Sequence, residues 1–369
     1  MTDKTTWYKI NNIDILDTPA LVVFPNRVKS NILKITQSID SIDRLRPHIK
    51  THKTKQVCEL LQNAGIQKFK CATIAETELL ASVGAKDVLL AYQPVGIKLL
   101  RFIKIIQEHP STYFSCLVDS LFYAKKMAEI ASQNDLILSV YIDLNLGMNR
   151  TGIIPENAVE LCEELQNLPH LKLQGLHIYD GNIHDFDFET RKYKCDSAFK
   201  KVEELVEKIG DSGIKIVAGG TPTFPIHAQR KSIDCSPGTF VFWDKGYQEL
   251  YHEQGFEPAA LVISRVISLP DKDKICLDLG HKSVAAENEL TLRVHFLNAP
   301  KAIFLGQSEE HLVLQVPENH EYKIGDVFYG LPFHICPTVA LYERANVVDN
   351  GELTGEEWQI IARNRKIKY

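Results

Sequence analysis

The chain has 369 residues, 44% of them hydrophobic, and a formal net charge of −5, so its length predicts a large domain joined to a smaller one. This slightly acidic balance gives no electrostatic reason to expect a nucleic acid or an anionic membrane as partner. The start of the chain lacks the apolar core of an export signal and no apolar run approaches the length of a membrane span, so we expect a cytoplasmic protein, whose eight scattered cysteines are reduced.

Short apolar runs alternate with helical patterns over the first two-thirds of the chain. The predicted strands are 20–24, 68–73, 87–92, 113–119, 137–144, 171–179 and 214–220, with 46–50 as a further short strand. The helical stretches between them, several of which end at Gly or Asn, complete about eight βα units. Apolar rather than alternating strands indicate a parallel sheet, and we predict a (β/α)8 barrel over 17–254. An open doubly wound sheet is the alternative.

The pattern changes near residue 255. From there on, short β-type segments are separated by turns rich in Pro, Asn and Asp, and helical periodicity is almost absent. We therefore predict a mainly β domain over 255–369. The N-terminal segment 1–16 is expected to pack on it.

The stretch "RPHIKTHKTK" places Lys50 at the end of a predicted strand, whereas Lys53 and Lys55 fall where the next helix begins. In a barrel, reactive groups gather at the carboxyl ends of the strands. A lysine there is most often solvated. A desolvated lysine, however, has a lowered pKa and can form a Schiff base with a carbonyl cofactor or substrate.

Three further segments carry polar or aromatic residues at predicted strand ends. In "GMNRTG", Arg150 follows a glycine turn and can either cap a helix or bind an anionic cofactor oxygen. Tyr179 ends the strand in "GLHIYDGN", where an aromatic side chain commonly serves packing. In "VAGGTPTF", a glycine pair and two threonines suit a phosphate, although such a pair is commonly only a turn. These four residues are Gly219, Gly220, Thr221 and Thr223.

The predicted β domain contains "PFHICPT", in which His334 and Cys336 are two residues apart. On a strand, both side chains would point to the same face. A histidine and a thiolate suit zinc, but two ligands do not complete a metal site. A pair with this spacing is more often incidental.

Taken together, these segments resemble the D-threonine aldolase and D-serine dehydratase family, whose members are metal-assisted relatives of alanine racemase. They bind pyridoxal phosphate (PLP) in the fold called type III. The resemblance covers nearly the whole chain and rests on ordered motifs: "DTPALVV", "RPHIKTHK", "KCATIAE", "GMNRTGI", "YDGN", "GGTPT", "SPGTFVFWD", "SEEH" and "HICPTV".

The resemblance implies a role for each candidate residue. Lys50 would bind PLP covalently, Arg150 would lie near its phenolic oxygen and Tyr179 beside its ring. The segment Gly219–Thr223 would hold the phosphate. His334 and Cys336 would bind a divalent metal, and the cysteine favours zinc over manganese or magnesium. Lys50, acting as a base, and His52 are therefore the predicted catalytic residues. From their place in the stretch, His48 and His52 are predicted to support the site or handle protons.

The activity that this resemblance implies is a lyase acting on β-hydroxy D-amino acids. The first candidate is retro-aldol cleavage to glycine and an aldehyde. D-serine dehydratase activity, which gives a 2-oxo acid and ammonia, is almost equally favoured. An amino-acid racemase comes third, because it would need a second base, for which Tyr329 and Tyr342 are candidates. A non-catalytic PLP-binding protein is the remaining alternative. By analogy, a homodimer is expected.

Overall fold

The computed structural model describes residues 6–210 and 213–368, so the first five residues of the predicted N-terminal segment lie outside the described chain. It divides into two compact units. The β unit comprises the stretch ending at Ile32, Thr51–Val57 and Thr239–Arg363. The barrel unit comprises Leu33–Lys50, Cys58–Gly238 and the stretch beginning at Asn364.

Strands and helices alternate in the first two-thirds of the chain and strands dominate thereafter. The strands are β1 (Ala20–Val23), β2 (Lys68–Cys71), β3 (Asp87–Leu90), β4 (Tyr113–Val118), β5 (Leu138–Leu144), β6 (Leu171–Ile178), β7 (Lys215–Ala218), β8 (Ile233–Cys235), β9 (Ala260–Asp271), β10 (Lys274–Leu277), β11 (Val294–Phe296), β12 (Ile303–Gln307), β13 (Leu312–Gln315), β14 (Val327–Pro332), β15 (Arg344–Asp349) and β16 (Glu352–Gln359).

The α-helices are α1 (Pro25–Gln37), α2 (Lys55–Asn63), α3 (Ile74–Ser82), α4 (Ile97–Glu108), α5 (Leu121–Gln133), α6 (Pro155–Asn167), α7 (Phe188–Ile209), α8 (Phe224–His227), α9 (Lys245–Leu250) and α10 (Ile335–Val339). Short 3-10 helices span Ile13–Ile15, Ile42–Arg44, Thr239–Val241, His252–Gln254, Leu290–Leu292 and Ile361–Arg363. Within the described residues, we find no helix that combines the length and apolar character needed to cross a membrane.

The barrel unit is built on a parallel sheet in which β2 to β8 pair in sequence order. The segment 45–49 bridges its two edge strands. On one side, Arg46 N donates to Cys235 O; on the other, Ile49 N donates to Lys70 O, both at 2.9 Å. This segment therefore takes the place of an eighth strand and closes the barrel. The predicted (β/α)8 architecture is confirmed.

Apolar side chains fill the interior of the barrel. Leu89, Leu117, Tyr141 and Val217 come from four different strands and form one buried cluster. Parallel strands covered by helices are buried on both faces, which favours apolar residues. Lys70, Asp143 and His177 are nevertheless buried within these strands, and they line a cavity described below.

The β unit contains a nine-stranded sheet, whose main path runs β12-β13-β10-β9-β1-β15-β16, with β14 pairing with β9 and with β11. Residues near the chain start, among them Ile10 and Leu16, join a buried cluster with Leu261, Ile263 and Tyr329. This sheet confirms the predicted mainly β region at the C-terminal end of the chain.

One predicted barrel strand is wrong, and one observed barrel strand is absent from the predicted set. Strand β1, predicted as the first strand of the barrel, pairs instead with β9 and β15 in the sheet of the β unit. The barrel contains β8 in place of β1. Strand β8 has only three residues and carries too little periodicity to be predicted.

Candidate active site

The barrel unit contains a cavity of about 570 Å³ at the carboxyl ends of its strands. This is the end at which barrel enzymes carry their active sites, and the volume is that of an ordinary cofactor site. The cavity is lined by His48, Lys50, Lys70, Ala72, Ala91, Tyr92, Gln93, Leu117, Val118, Asp119, Asp143, Arg150, Thr151, His177 and Tyr179.

Three residues predicted from the sequence meet in this cavity. The Lys50 Nζ lies 5.5 Å from the centroid of the Tyr179 ring, and the Arg150 Cζ lies 4.9 Å from the same centroid. Lys50 follows segment 45–49, which closes the barrel, and its backbone N donates to His48 Nδ1 at 3.2 Å. An amine, a guanidinium and an aromatic ring thus face one space.

The loop that carries Arg150 is fixed by its own side chains. Asn145 Oδ1 accepts hydrogen bonds of 3.0 Å from the backbone N of both Gly147 and Asn149. Gly152 has φ +98°, and a Cβ there would lie 2.8 Å from Asn145 N, so only glycine fits this position. The glycines of "GMNRTG" therefore shape the turn that presents Arg150.

The predicted phosphate segment follows β7 and lies beside Tyr179. Gly219 has φ +74°, and a Cβ on Gly220 would lie 3.3 Å from the Tyr179 ring. Both threonine hydroxyls are buried and bonded. Thr223 Oγ1 donates to Asp180 Oδ1 at 2.8 Å, and Thr221 Oγ1 accepts from Gly238 N at 3.1 Å. These hydroxyls hold the turn, and the glycines let a ligand approach its backbone.

Behind this turn, Asp180, Cys195 and His227 form a buried cluster. His227 Nε2 lies 2.8 Å from Asp180 Oδ2 and 3.4 Å from Cys195 Sγ. Since Arg230 Nη1 donates to His227 Nδ1, the hydrogen of the neutral ring is on Nε2 and is donated to Asp180. Hydrogen bonds from His227 and Thr223 outweigh burial and hold the pKa of Asp180 below its usual value.

These three side chains are close enough together to bind a metal ion. Binding would require Nε2 to lose its hydrogen and Cys195 to ionise. Burial, with a smaller contribution from Asp180, raises the pKa of the Cys195 thiol to about 12. The hydrogen-bonded arrangement is therefore the one that the surrounding groups stabilise.

Sequence reasoning does not single out three polar residues of the cavity: Lys70, Asp143 and His177. Each is the last residue but one of its strand, and this position near a strand's carboxyl end is the sequence signal that could have found them. His177 Nδ1 lies 2.7 Å from Asp143 Oδ1, and its buried Nε2 has no hydrogen-bond partner among the described residues. A buried polar atom facing a cavity without a partner indicates a ligand or water.

His52, predicted to be catalytic, lies in the β unit. Its Nδ1 accepts from Thr54 N at 3.2 Å and its ring lies edge-on to Phe242. Burial, and then the nearby Lys53, lowers the pKa of His52 to about 3. The imidazole is therefore neutral at physiological pH and is a weak base.

His334 and Cys336 also lie in the β unit, but the expected strand geometry is wrong. His334 is the N-cap of α10, and Cys336 is in the first turn of that helix. The two side chains nevertheless interact. Burial opposes protonation, but Cys336, Asp244 and Glu287 together raise the pKa of His334 to about 9.

The surroundings of this pair are polar. His334 Nδ1 is 2.5 Å from Glu287 Oε1, and Cys336 Sγ is 3.1 Å from Thr51 Oγ1 and 3.7 Å from Thr239 Oγ1. Among the described residues, no third His, Cys, Asp or Glu completes a three-ligand cluster with them. A metal bound here would take its other ligands from water or substrate.

The two tyrosines considered as a second base have occupied hydroxyls. Tyr329 Oη accepts from Ile10 N at 3.4 Å, and Tyr342 Oη donates to Ser283 O at 2.6 Å. Burial raises the pKa of both phenols. Neither is arranged as a base.

Comparisons with known proteins agree with this architecture. Residues 24–243 match the family described as "Alanine racemase, N-terminal domain", and residues 259–348 match a "Putative serine dehydratase domain". A D-threonine aldolase of Arthrobacter sp is 25% identical over 358 residues, which cover 94% of this chain and 93% of the relative. A D-serine dehydratase of Dictyostelium discoideum is 23% identical over 392 residues, with 92% and 96% covered.

Among solved structures, the D-threonine aldolase from Filomicrobium marinum superposes with a TM-score of 0.86 at 23% identity, covering 96% of this chain and 97% of that one. The resemblance inferred from the ordered motifs is thereby confirmed. Because the first of the two family matches spans more than half of the 369 residues, the chain belongs to the family of the alanine racemase N-terminal domain.

Proposed function

We propose that this protein is a lyase that depends on PLP and a divalent metal and cleaves β-hydroxy D-amino acids to glycine and an aldehyde, as D-threonine aldolase does. The observation that carries the proposal is the Lys50 amine, which lies with Arg150 and the Tyr179 ring in one cavity at the carboxyl ends of the barrel strands. The relatives named aldolases and dehydratases support the PLP-dependent lyase class.

The residues present fit PLP. The cavity volume of about 570 Å³ is sufficient, and Lys50 offers the amine to which an aldehyde can attach. The glycine turn after β7 presents backbone beside the Tyr179 ring, since a Cβ on Gly220 would lie 3.3 Å from that ring. The buried His177 Nε2 is a polar atom that a ligand could satisfy.

When bound, PLP supplies an electron sink for charge that develops at Cα. The chain's own residues bind and orient the reactants. We propose that Lys50 holds the cofactor and afterwards moves a proton at Cα, that Arg150 pairs with an anionic cofactor oxygen and that Tyr179 fixes the ring position. The backbone of Gly219 and Gly220 would approach the phosphate.

We propose that His334 and Cys336 hold the divalent metal, with zinc favoured because a thiolate and an imidazole are its preferred ligands. The metal would supply Lewis acidity toward an oxygen of the substrate. Close proximity of the two side chains, inferred from their mutual electrostatic effect, supports the pair. His52 stays a predicted catalytic residue, and with a pKa of about 3 it would act as a neutral hydrogen-bonding group rather than as a base. A homodimer stays a prediction.

D-serine dehydratase activity is the second candidate. It is favoured by Cys336, because the resemblance associates a cysteine at this position with the zinc-dependent dehydratases, and by the match of residues 259–348 to a putative serine dehydratase domain. Racemase activity is less favoured because the hydroxyls of Tyr329 and Tyr342 are engaged. A non-catalytic role is disfavoured because the match to the lyase relatives extends over both units.

Absorbance tests the attachment of PLP. Purified protein with PLP should show a band at roughly 410–430 nm, as expected for a PLP–lysine adduct. Lys50→Ala should abolish it. Because Lys70 lines the same cavity, borohydride reduction and peptide mapping should also place the reduced cofactor on Lys50. A label on any other lysine would contradict the assignment.

Product analysis tests the reaction. Enzyme is incubated separately with D-threonine and D-serine, and glycine, 2-oxo acid and the L-enantiomers are measured. Glycine from D-threonine supports the aldolase, and 2-oxo acid without glycine would establish the dehydratase instead. Prior chelation should abolish turnover and added zinc should restore it, whereas His334→Ala should not respond to zinc. Full turnover of His334→Ala in chelator would show that the metal role is wrong.

A further inference from the structure

The cavity contains a second amine, Lys70, which the proposed attachment of PLP does not use. Lys70 comes from β2 and is only 2% exposed. Its Nζ lies 5.9 Å from the Tyr179 ring centroid, almost as near as the 5.5 Å of the Lys50 Nζ. Both amines therefore face the region where the aromatic ring bounds the cavity.

Lys70 lacks an acidic partner among the described residues. Its Nζ makes one long hydrogen bond, of 3.5 Å, to the carbonyl oxygen of Gly219, and no carboxylate oxygen lies within 4.0 Å. Lys68, two residues earlier on the same strand, differs in this respect, because its Nζ is 3.1 Å from both carboxylate oxygens of Asp234. Of the two lysines of β2, Lys70 is therefore the one without an ion pair.

The nearest acidic groups are already committed to other donors. Asp143 accepts from His177 and from Thr151, at 2.7 and 2.8 Å. Asp180 accepts from His227 and Thr223, at 2.8 Å each. They attract the Lys70 ammonium only from a distance, and Lys50 and Arg46 repel it.

A buried ammonium in this setting is unfavourable. Burial, and then the charge of Lys50, lowers the pKa of Lys70 to about 7. An uncompensated buried charge is normally avoided in a stable fold unless a ligand compensates it. The polar end of Lys70 contacts Gly219, the first residue of the proposed phosphate turn, and lines the cavity.

We propose that Lys70 recognises an anionic oxygen of the ligand in this cavity, which is either the phosphate of the cofactor or the carboxylate of the amino-acid substrate. The proposal rests on the proposed function for the identity of that ligand. It assigns Lys70 an anionic partner that the described residues do not supply.

Stability separates this role from a structural one. Lys70→Met removes a buried, unpaired cation, so the apoprotein should melt at the same temperature as wild type or higher. Lys68→Met is the matched control, because it removes a similar side chain from the same strand but breaks a visible ion pair with Asp234. That variant should melt lower than wild type and keep its ligand affinity.

Calorimetric titration of the apoproteins with PLP and with pyridoxal tests the phosphate. If Lys70 binds the phosphate, Lys70→Met should lower the affinity for PLP about tenfold or more relative to wild type, and the affinity for pyridoxal should stay within about twofold. Titration of the PLP-loaded proteins with D-threonine and D-threoninol, after chelation has stopped turnover, tests the carboxylate. If Lys70 binds the carboxylate, Lys70→Met should lower the affinity for D-threonine about tenfold and leave the affinity for D-threoninol unchanged. Lys70→Arg should retain part of the affinity, and Lys70→Gln replaces Lys70→Met if the latter does not fold.

The proposal would be overturned if Lys70→Met kept the wild-type ratio of affinities within each pair, PLP to pyridoxal and D-threonine to D-threoninol. It would also be overturned if the variant melted at a much lower temperature and bound all four ligands equally more weakly. Wild-type protein that binds no PLP at all contradicts the proposed function instead. The two failures are therefore distinguishable.

Discussion

Nδ1 of His177 lies 2.7 Å from Oδ1 of Asp143, and the pair is buried at the carboxyl ends of two adjacent strands of the barrel. Hydrogen bonds and charges outweigh burial and keep the pKa of Asp143 below its usual value, so its carboxylate can only accept and Nδ1 must carry the hydrogen. Burial, and to a lesser extent Lys70 and Arg150, lowers the pKa of His177. Its neutral ring therefore presents an acceptor at Nε2 to the cavity.

Asp143→Asn is expected to lower the free energy of unfolding by about 1–2 kcal/mol, because a neutral amide oxygen accepts the buried hydrogen bond from His177 more weakly than the carboxylate does. Urea unfolding of the apoprotein measures it. Glu156→Gln is the control, since its ion pair with Lys201 spans 3.8 Å on the surface and should contribute at most about 1 kcal/mol. Equal losses in the two variants would contradict a stabilising role for the Asp143–His177 pair.

His52 should make the protein sensitive to acid. Its pKa is about 3 in the folded chain against 6.5 as the reference, so the unfolded state binds the extra proton. This contribution is complete above pH 6.5 and decreases as the pH falls below it, by about 2 kcal/mol at pH 5. His52→Gln should lose that much less stability than wild type between pH 7.5 and pH 5, as measured by urea unfolding at both values. Parallel pH profiles would show that His52 is not buried in its neutral form.

Asp180 should act on the cofactor through the turn that it holds. Asp180→Asn weakens the bonds to Thr223 and His227, and we expect a roughly tenfold loss of PLP affinity with pyridoxal affinity nearly unchanged. Fluorescence titration of the apoprotein measures both. Asp187→Asn, which alters only the N-cap of α7, is the control. Stoichiometric metal that is present in wild type and absent from Cys195→Ser would instead make the cluster a metal site.

The barrel could be predicted because its strands are apolar runs bounded by turn residues, and six of the predicted ranges overlap the barrel strands β2 to β7. The assignment of β1 to the barrel fails for a physical reason. A buried four-residue strand has the same composition in either sheet, and only tertiary pairing with β9 and β15 decides.

The candidate site could likewise be predicted only in part. Lys50, Arg150 and Tyr179 carry recognisable motifs and meet in one cavity. The sequence assigns no role to Lys70, the first residue of "KCATIAE", or to His177. Their importance follows from partners that the described residues do not supply, which depends on three-dimensional packing. The position of Cys336 on a helix likewise depends on α10, whose five residues carry no useful periodicity.

Two glycines with similar backbone geometry allow the turn after β7 to be tested directly. Gly219 has φ +74° and Gly84 has φ +68°, so alanine at either position costs about 1–2 kcal/mol of backbone strain. A Cβ at Gly84 would meet nothing within 4 Å, whereas one at Gly219 would lie 2.7 Å from His227 Cδ2 and 2.8 Å from Thr223 Oγ1.

Gly219→Ala should therefore lower the free energy of unfolding by about 1–3 kcal/mol more than Gly84→Ala does, because the His227 ring or the turn must shift. Since the same turn is proposed to approach the phosphate, PLP affinity should fall in Gly219→Ala alone. Urea unfolding and fluorescence titration of the two variants and wild type provide the comparison. If both variants lose equal stability and bind PLP as wild type does, the turn does not depend on its contact with His227.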